Sequence, residues 1–127
     1  METNINEGIE NQLSKTVTEA DSAANCGSGL LPVFATPALV AFMEQTAHTS
    51  IEKMLPEGCT TVGSLINTTH IKPSKLGAKV KATAVLKEID GRKLTFKVTA
   101  EDDSGIIGEG EHVRYIVDIE RFMSKLK

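Results

Sequence analysis

One stretch of this chain has the period of a helix, and most of the chain beyond it has the period of a strand. From Val33 to His48 the sequence runs VFATPALVAFMEQTAH. Thr36 suits an N-cap, and Pro37 suits the first helical position, where its missing N–H costs nothing. Val40, Met43, Ala47, Ile51, Met54 and Leu55 then recur at the spacings of a single apolar helix face. The spacing predicts a helix from Thr36 to about Leu55, stopped by Pro56-Glu57-Gly58. Glu44 breaks the pattern. At about 100° per residue it lies within about 60° of Val40, Ala47, Ile51 and Leu55, so it points with the apolar side. A carboxylate there is costly unless it is paired, hydrogen-bonded or open to a cleft. Glu44 is therefore the first candidate functional residue.

The segments around the helix set its partner. Residues 1–12 are polar and acidic and read as a loose lead-in. Leu13 to Ala20 reads as a short strand, and Asp21 to Gly29 as a loop. Beyond Gly58 the pattern alternates. Strands are expected over Thr60–Ile71, Lys79–Ile89, Lys93–Glu101 and Ile106–Val117. Asp90-Gly91 signals a type I′ hairpin, Asp102 to Gly105 a second tight turn, and Asp118 to Lys127 a short helical tail or a frayed end. Strands joined by short turns are antiparallel, and one apolar helix must pack on the apolar face of such a sheet. The fold class is α+β: a curved antiparallel sheet wrapped around one long central helix, a single domain over residues 13–127. A single sheet leaves its edges open, so an oligomer that covers one is expected, a symmetric dimer by default and a tetramer as the alternative.

Composition excludes several classes of function. The chain has 127 residues, enough for one core and not for two. Its net charge of −3, with no dense Lys/Arg stripe, argues against a nucleic-acid partner. No apolar run is long enough to span a membrane, and the first residues carry no apolar signal core, so a cytoplasmic setting is expected. Cys26 and Cys59 are too few and too isolated for a disulfide framework or a metal site.

Four pieces, in order, carry a resemblance. They are Val33-Phe34-Ala35-Thr36-Pro37, Met43-Glu44, Val62-Gly63-Ser64 leading to Thr69-His70, and Gly108-Glu109-Gly110-Glu111-His112-Val113-Arg114. Together they resemble the fluoroacetyl-CoA thioesterase-like family of hot-dog proteins, from about Gly29 to the end. The resemblance implies hydrolysis of an acyl-CoA thioester at a site on a dimer interface. The family's catalytic threonine, glutamate and histidine match Thr36, Glu44 and His70. Its glycine near the thioester carbonyl matches Gly63, and its arginine near the end matches Arg114, which makes Gly63, Ser64 and Arg114 the substrate-binding residues that the resemblance implies. Coenzyme A would be half of the substrate rather than a cofactor. Fluoroacetate-specialised members are aromatic-rich before the threonine. The matching stretch here is Gly27-Ser28-Gly29-Leu30-Leu31-Pro32, which points to a different or broader short-chain acyl group.

The residue chemistry is compatible with that implication. Thioester hydrolysis needs a nucleophile or general base, a donor for the developing oxyanion and a proton for the thiolate. Glu44 could attack the carbonyl or activate water, and His70 could move the proton. The Gly63 N–H could donate to the oxyanion, and Thr36 could position the acid. By strand parity His70 shares a face with Val62, Ser64, Ile66 and Thr68. Thr36 and Glu44 are about 12 Å apart along one continuous helix, so either Thr36 lies on a loop that folds back or Glu44 is contributed by another subunit. Plainer roles stand beside these: Thr36 as cap only, Glu44 as a structural acid paired with Arg114 or His70, Gly63 as a bulge, and Arg114 as an ion-pair partner. His48 is a rival partner for Glu44 or helix packing, and His112 an orienting or structural group. Lys72, Lys75, Lys79 and Lys81 could meet coenzyme A phosphates or form a solvated edge. Two other readings are a non-catalytic module that binds acyl-CoA or a small apolar ligand, and a hot-dog dehydratase. The dehydratase ranks lower because no Asp and His lie close together in one segment.

Overall fold

The helical stretch forms one long helix against one sheet. The computed structural model describes residues 5–126. Its strands are β1 (Glu10–Thr16), β2 (Cys59–His70), β3 (Lys79–Asp90), β4 (Lys93–Asp102) and β5 (Gly105–Asp118). Its helices are α1 (Ala23–Cys26), α2 (Thr36–Ile51) and α3 (Ile119–Ser124). All strand pairs are antiparallel, in the order β1-β3-β4-β5-β2. This is the hot-dog arrangement, with α2 as the filling. Leu39, Phe42, Met43, Thr46, Ala47 and Ile51 form the buried stripe of α2. Leu86, Leu94, Phe96 and Ile107 complete the core from the sheet.

Several expectations shift. Strand β1 starts at Glu10, inside the expected lead-in, because Glu10–Gln12 pair with Thr83–Val85. Residues 1–4 and Lys127 of the expected lead-in and tail lie outside the described residues. The loop expected over 21–29 contains the short α1, closed by Gly27 at φ 73°. The N-cap of α2 is Ala35 rather than Thr36, with Pro37 just inside the helix. The helix ends at Ile51 and continues as a single 3-10 turn, so Met54, past that end, is exposed rather than buried. The buried stripe is centred further round the helix than the spacing suggests, which leaves Glu44 on its flank, half-buried. The first hairpin turns on Gly91-Arg92, between paired Asp90 and Lys93. Gly91 has φ 61° and no non-glycine residue among those described has positive φ. That is the type II′ pattern, not type I′, which needs positive φ at both central residues.

The largest difference is the place of β2. It pairs with β5, not with its sequence neighbour β3. Residues 71–78 carry Pro73, which has no N–H to give a ladder, and they cross to the far side of the sheet instead of closing a hairpin. The sheet therefore ends at β2, with one flank open. Gly110 lets β2 lie close to β5: a Cβ there would collide with the Asn67 carbonyl and the Thr68 backbone.

The β2–β5 ladder slips between Gly63 and Leu65, the bulge allowed for at Gly63. Before the slip Gly63 opposes Arg114, and after it Ile66 opposes His112. Ser64 is the extra residue. The slip inverts parity, so His70, Thr68 and Ile66 share a face with Thr61 and Gly63, not with Val62 and Ser64 as simple alternation predicts. It is the face that meets α2, where the Thr68 hydroxyl lies 3.5 Å from Met43 Sδ.

Candidate active site

Two clusters of polar side chains lie along α2. The first is at its N-terminus. Residues 33–35 are held extended by bridges from Phe34 to Ser22 and from Val33 to Lys75, and by the Phe34 and Ala35 N–H groups donating to Ser74 and Asp21 carbonyls. That fixes Thr36 at the mouth of the helix. Because Ala35 holds the cap position, the Thr36 hydroxyl is free of capping, and it lies 2.9 Å from His70 Nδ1. His70 is the last residue of β2, with Phe34 edge-on to its ring at 6.2 Å. Its other nitrogen, Nε2, is buried and has no hydrogen-bond partner among the described residues. Burial pushes the His70 pKa below its ordinary 6.5, and the nearby Lys72 backbone opposes that shift only in part. A neutral imidazole with one nitrogen on a hydroxyl and the other unsatisfied is equipped to take or give a proton. Phe34, Thr36, His70 and Pro73 line a groove of about 320 Å³.

The second cluster lies two turns further along. Glu44 Oε1 is 3.7 Å from Arg114 Nη1, with 39% of the Glu44 side chain exposed and 9% of Arg114. Arg114 is held from behind. Its Nε donates to Thr61 Oγ1 at 2.7 Å and its Nη2 to the Thr61 carbonyl at 3.0 Å. Its Nη1 lies 3.1 Å from His112 Nε2. Gly63 completes the cluster: a Cβ there would sit 3.2 Å from Glu44 Oε1, 3.2 Å from His112 Cε1 and 3.3 Å from Arg114 Nη1. A glycine is what lets these groups approach the strand. The open side of Glu44 faces this glycine rather than solvent alone.

The structure thus joins Thr36 to His70, and Glu44 to Gly63 and Arg114. It does not join the two clusters: Thr36 and Glu44 lie on the same unbroken α2, about 12 Å apart along its axis. The option of Thr36 on a folded-back loop is excluded for this protomer. Ser64, the bulged residue, turns its hydroxyl toward the Val113 carbonyl at 3.4 Å. His48 is no partner of Glu44; its Nδ1 is 3.4 Å from Glu52 Oε1, and Thr60 also donates to Glu52. Of the lysines, Lys72 donates to the Ser104 carbonyl and Lys81 pairs with Glu101. Lys75 and Lys79 line a cavity of about 690 Å³ that adjoins the Thr36–His70 groove at Val33 and Pro73. Both cysteines are free thiols. Sequence reasoning misses Thr61 as the anchor of Arg114; its spacing of two from Gly63 is the available signal.

Known proteins share both the sequence pattern and the fold. Residues 17–120 match the family model described as fluoroacetyl-CoA-specific thioesterase. The fluoroacetyl-CoA thioesterase of Streptantibioticus cattleyicolor is 34% identical over 95 residues, which cover 75% of this chain and 68% of that protein. A crystal structure of a variant fluoroacetyl-CoA thioesterase in complex with acetyl-CoA superposes with a TM-score of 0.91 at 26% identity, covering 96% of each chain. A thioesterase superfamily member from Thermus thermophilus superposes at 0.88 with 26% identity, covering 96% of this chain and 90% of its own.

Proposed function

The chain belongs to the fluoroacetyl-CoA-specific thioesterase family, and from that premise we propose that it hydrolyses a short-chain acyl-CoA through Thr36, His70 and Glu44, brought together across a homodimer. Thioester hydrolysis follows from the family membership. The acyl group and the working residues are the proposal. The observation that carries it is the Thr36 hydroxyl on His70 Nδ1 at 2.9 Å, beside a buried, unpartnered Nε2 in a groove that can admit a substrate.

Each cluster supplies what the other lacks. Thr36 and His70 offer a hydroxyl and a proton carrier, but no carboxylate. Glu44 offers a nucleophile or a general base, but the His112 imidazole beside it has both nitrogens engaged elsewhere. A second copy docked along the open flank of β2 would cover the exposed Leu65 on that strand and the exposed Ile71 just beyond it. In that arrangement Glu44 of one protomer attacks the thioester carbonyl or activates water, while the neutral His70 of the other takes up the proton that the water releases and passes it to the departing thiolate. The Gly63 N–H is the candidate oxyanion donor. Coenzyme A is substrate, and no cofactor enters the scheme. Two free cysteines fit a reducing, cytoplasmic setting, and no helix among the described residues is long and apolar enough to cross a membrane. Leu30 and Leu31, exposed to 92% and 64%, stand before α2 without an aromatic among them, which favours a broader acyl range than fluoroacetyl alone.

The test is thiol release from acyl-CoAs of acetyl to medium chain length, with fluoroacetyl-CoA included. Release greatest for short chains is the expected result. Saturable binding without release would replace the enzyme with a binding module, and a change in enoyl absorbance would indicate a dehydratase.

A pH profile gives a second expectation. The His70 pKa is depressed, so the ring is neutral above its folded pKa and gains a proton only as pH falls through it. A proton carrier that must begin neutral then loses kcat/KM on the acid side, with a midpoint below 6.5. A limb centred well above that value would rule out His70 as the group responsible.

A further inference from the structure

His112 is a buried histidine that the proposed chemistry does not use. It is 1% exposed, and it packs on Phe96, with ring centroids 6.4 Å apart. Both ring nitrogens are engaged. Nδ1 lies 2.8 Å from the Leu65 carbonyl, which can only accept, so Nδ1 carries the hydrogen. Nε2 then presents a lone pair, and Arg114 Nη1 donates to it at 3.1 Å. That fixes one tautomer of a neutral ring. A protonated ring would set an N–H against the guanidinium N–H and break the contact. Burial, with the Arg114 charge added, holds the His112 pKa below 6.5.

The same guanidinium is occupied on its other side by the hydroxyl and carbonyl of Thr61. Arg114 is 8% exposed, and Nη1 is left directed at Glu44 Oε1, 3.7 Å away. The groups that set Arg114 therefore set the position of the carboxylate. The Leu65 carbonyl that orients His112 lies next to the extra residue of the bulge, on the strand that carries Gly63. The bulge, the imidazole, the guanidinium and the acid form one continuous chain of contacts.

We propose that His112 and Thr61 are positioning residues for turnover: they clamp Arg114 so that it aims Glu44 at the thioester carbonyl. This rests on the reading of Glu44 as the working acid, and it gives Arg114 an internal task in place of direct substrate binding. The clamp requires an acceptor toward Arg114 and a donor toward Leu65, and glutamine offers both on one side chain.

The test uses His112→Phe, His112→Gln and Thr61→Val, each also combined with Glu44→Gln. His112→Phe keeps the ring volume, and Thr61→Val keeps the side-chain shape while removing one acceptor. The expected result is a fall in kcat of about 10- to 100-fold for His112→Phe and a smaller fall for Thr61→Val, with KM within about 2-fold. His112→Gln should recover most of the loss. In the Glu44→Gln background, His112→Phe and Thr61→Val should lower the residual rate no further, because there is no acid left to aim. Should His112→Phe not fold, Thr61→Val carries the same comparison. Parental kcat in folded Thr61→Val and His112→Phe, with Glu44→Gln inactive, overturns the positioning role alone. An equal loss with and without Glu44 overturns it too, since that marks general disruption. Full activity in Glu44→Gln by itself removes the reading of Glu44 and the clamp with it.

Discussion

Glu44→Gln is expected to lower kcat by about 10²- to 10⁴-fold while the protein unfolds at nearly its original temperature. The two halves of that result separate a working acid from a structural one. Glu44 is paired with Arg114 at 3.7 Å, and 39% of its side chain is exposed. A pair that open contributes about 0–1 kcal/mol, which for a domain of this size shifts Tm by a few degrees at most. Glutamine keeps the length and shape, and its carbonyl oxygen can still face Arg114. If Glu44 served the fold alone, turnover would stay close to the parent and any loss would appear in the unfolding temperature. The measurement is thiol release from the preferred acyl-CoA, set beside thermal unfolding of the same sample. Parental turnover would overturn the role of Glu44 outright. Single turnover in ¹⁸O-labelled water then sorts the two chemistries in the parent enzyme. Direct attack forms a mixed anhydride, and water that opens it at the Glu44 carbonyl leaves the label in the protein. Activated water delivers the label only to the product acid, so label in Glu44 marks direct attack.

Much of this architecture is legible in the residues, and the rest fails for identifiable reasons. Helical spacing locates α2, and alternation locates the strands, because both report which side of an element is buried. Neither reports which strands are neighbours. The pairing of β2 with β5 depends on contacts more than 40 residues apart, such as the Thr68 hydroxyl on the Glu109 carbonyl. Parity misleads at His70 for a local reason. The extra residue at Ser64 inverts the face, and a bulge adds no letter that alternation alone can distinguish. The same bulge serves the site, since it brings Gly63, in the middle of β2, onto the face that His70 occupies at its end. Thr36 reads as a cap because threonine ahead of Pro-Ala-Leu-Val suits one. The chain places Ala35 there instead, and the hydroxyl becomes available to His70. Glu44 stands out because a charge on a helix flank is expensive unless something answers it. That answer comes from Arg114, whose anchor Thr61 lies 53 positions earlier in the chain. Spacing within β2 places Thr61 with Gly63, and spacing within β5 places His112 with Arg114. The register between the two strands is what joins them.

The separation of Thr36 from Glu44 leads to the expectation with the sharpest outcome. Thr36→Ala and Glu44→Gln are each expected to be nearly inactive as pure preparations, and mixing them through unfolding and refolding should restore turnover. One copy of α2 holds both residues about 12 Å apart, so a protomer cannot apply both to the same carbonyl. If the carboxylate of one protomer works beside the Thr36–His70 pair of the other, a mixed dimer contains one site in which both changes meet and one in which neither is present. Random pairing makes about half of the dimers mixed, and half of their sites intact, so recovery approaches about a quarter of the parental rate. A protein that worked within single protomers would recover nothing, because every chain in the mixture carries a lesion. The assay is thiol release against refolded pure variants at the same total concentration. Recovery also reports on assembly, since it requires exchange of subunits that a monomer does not have. Failure to recover, with both variants folded and dimeric, would confine the chemistry to one of the two clusters. Thr36 with His70 would then be the pair to keep, because its hydroxyl and imidazole already lie 2.9 Å apart within one protomer.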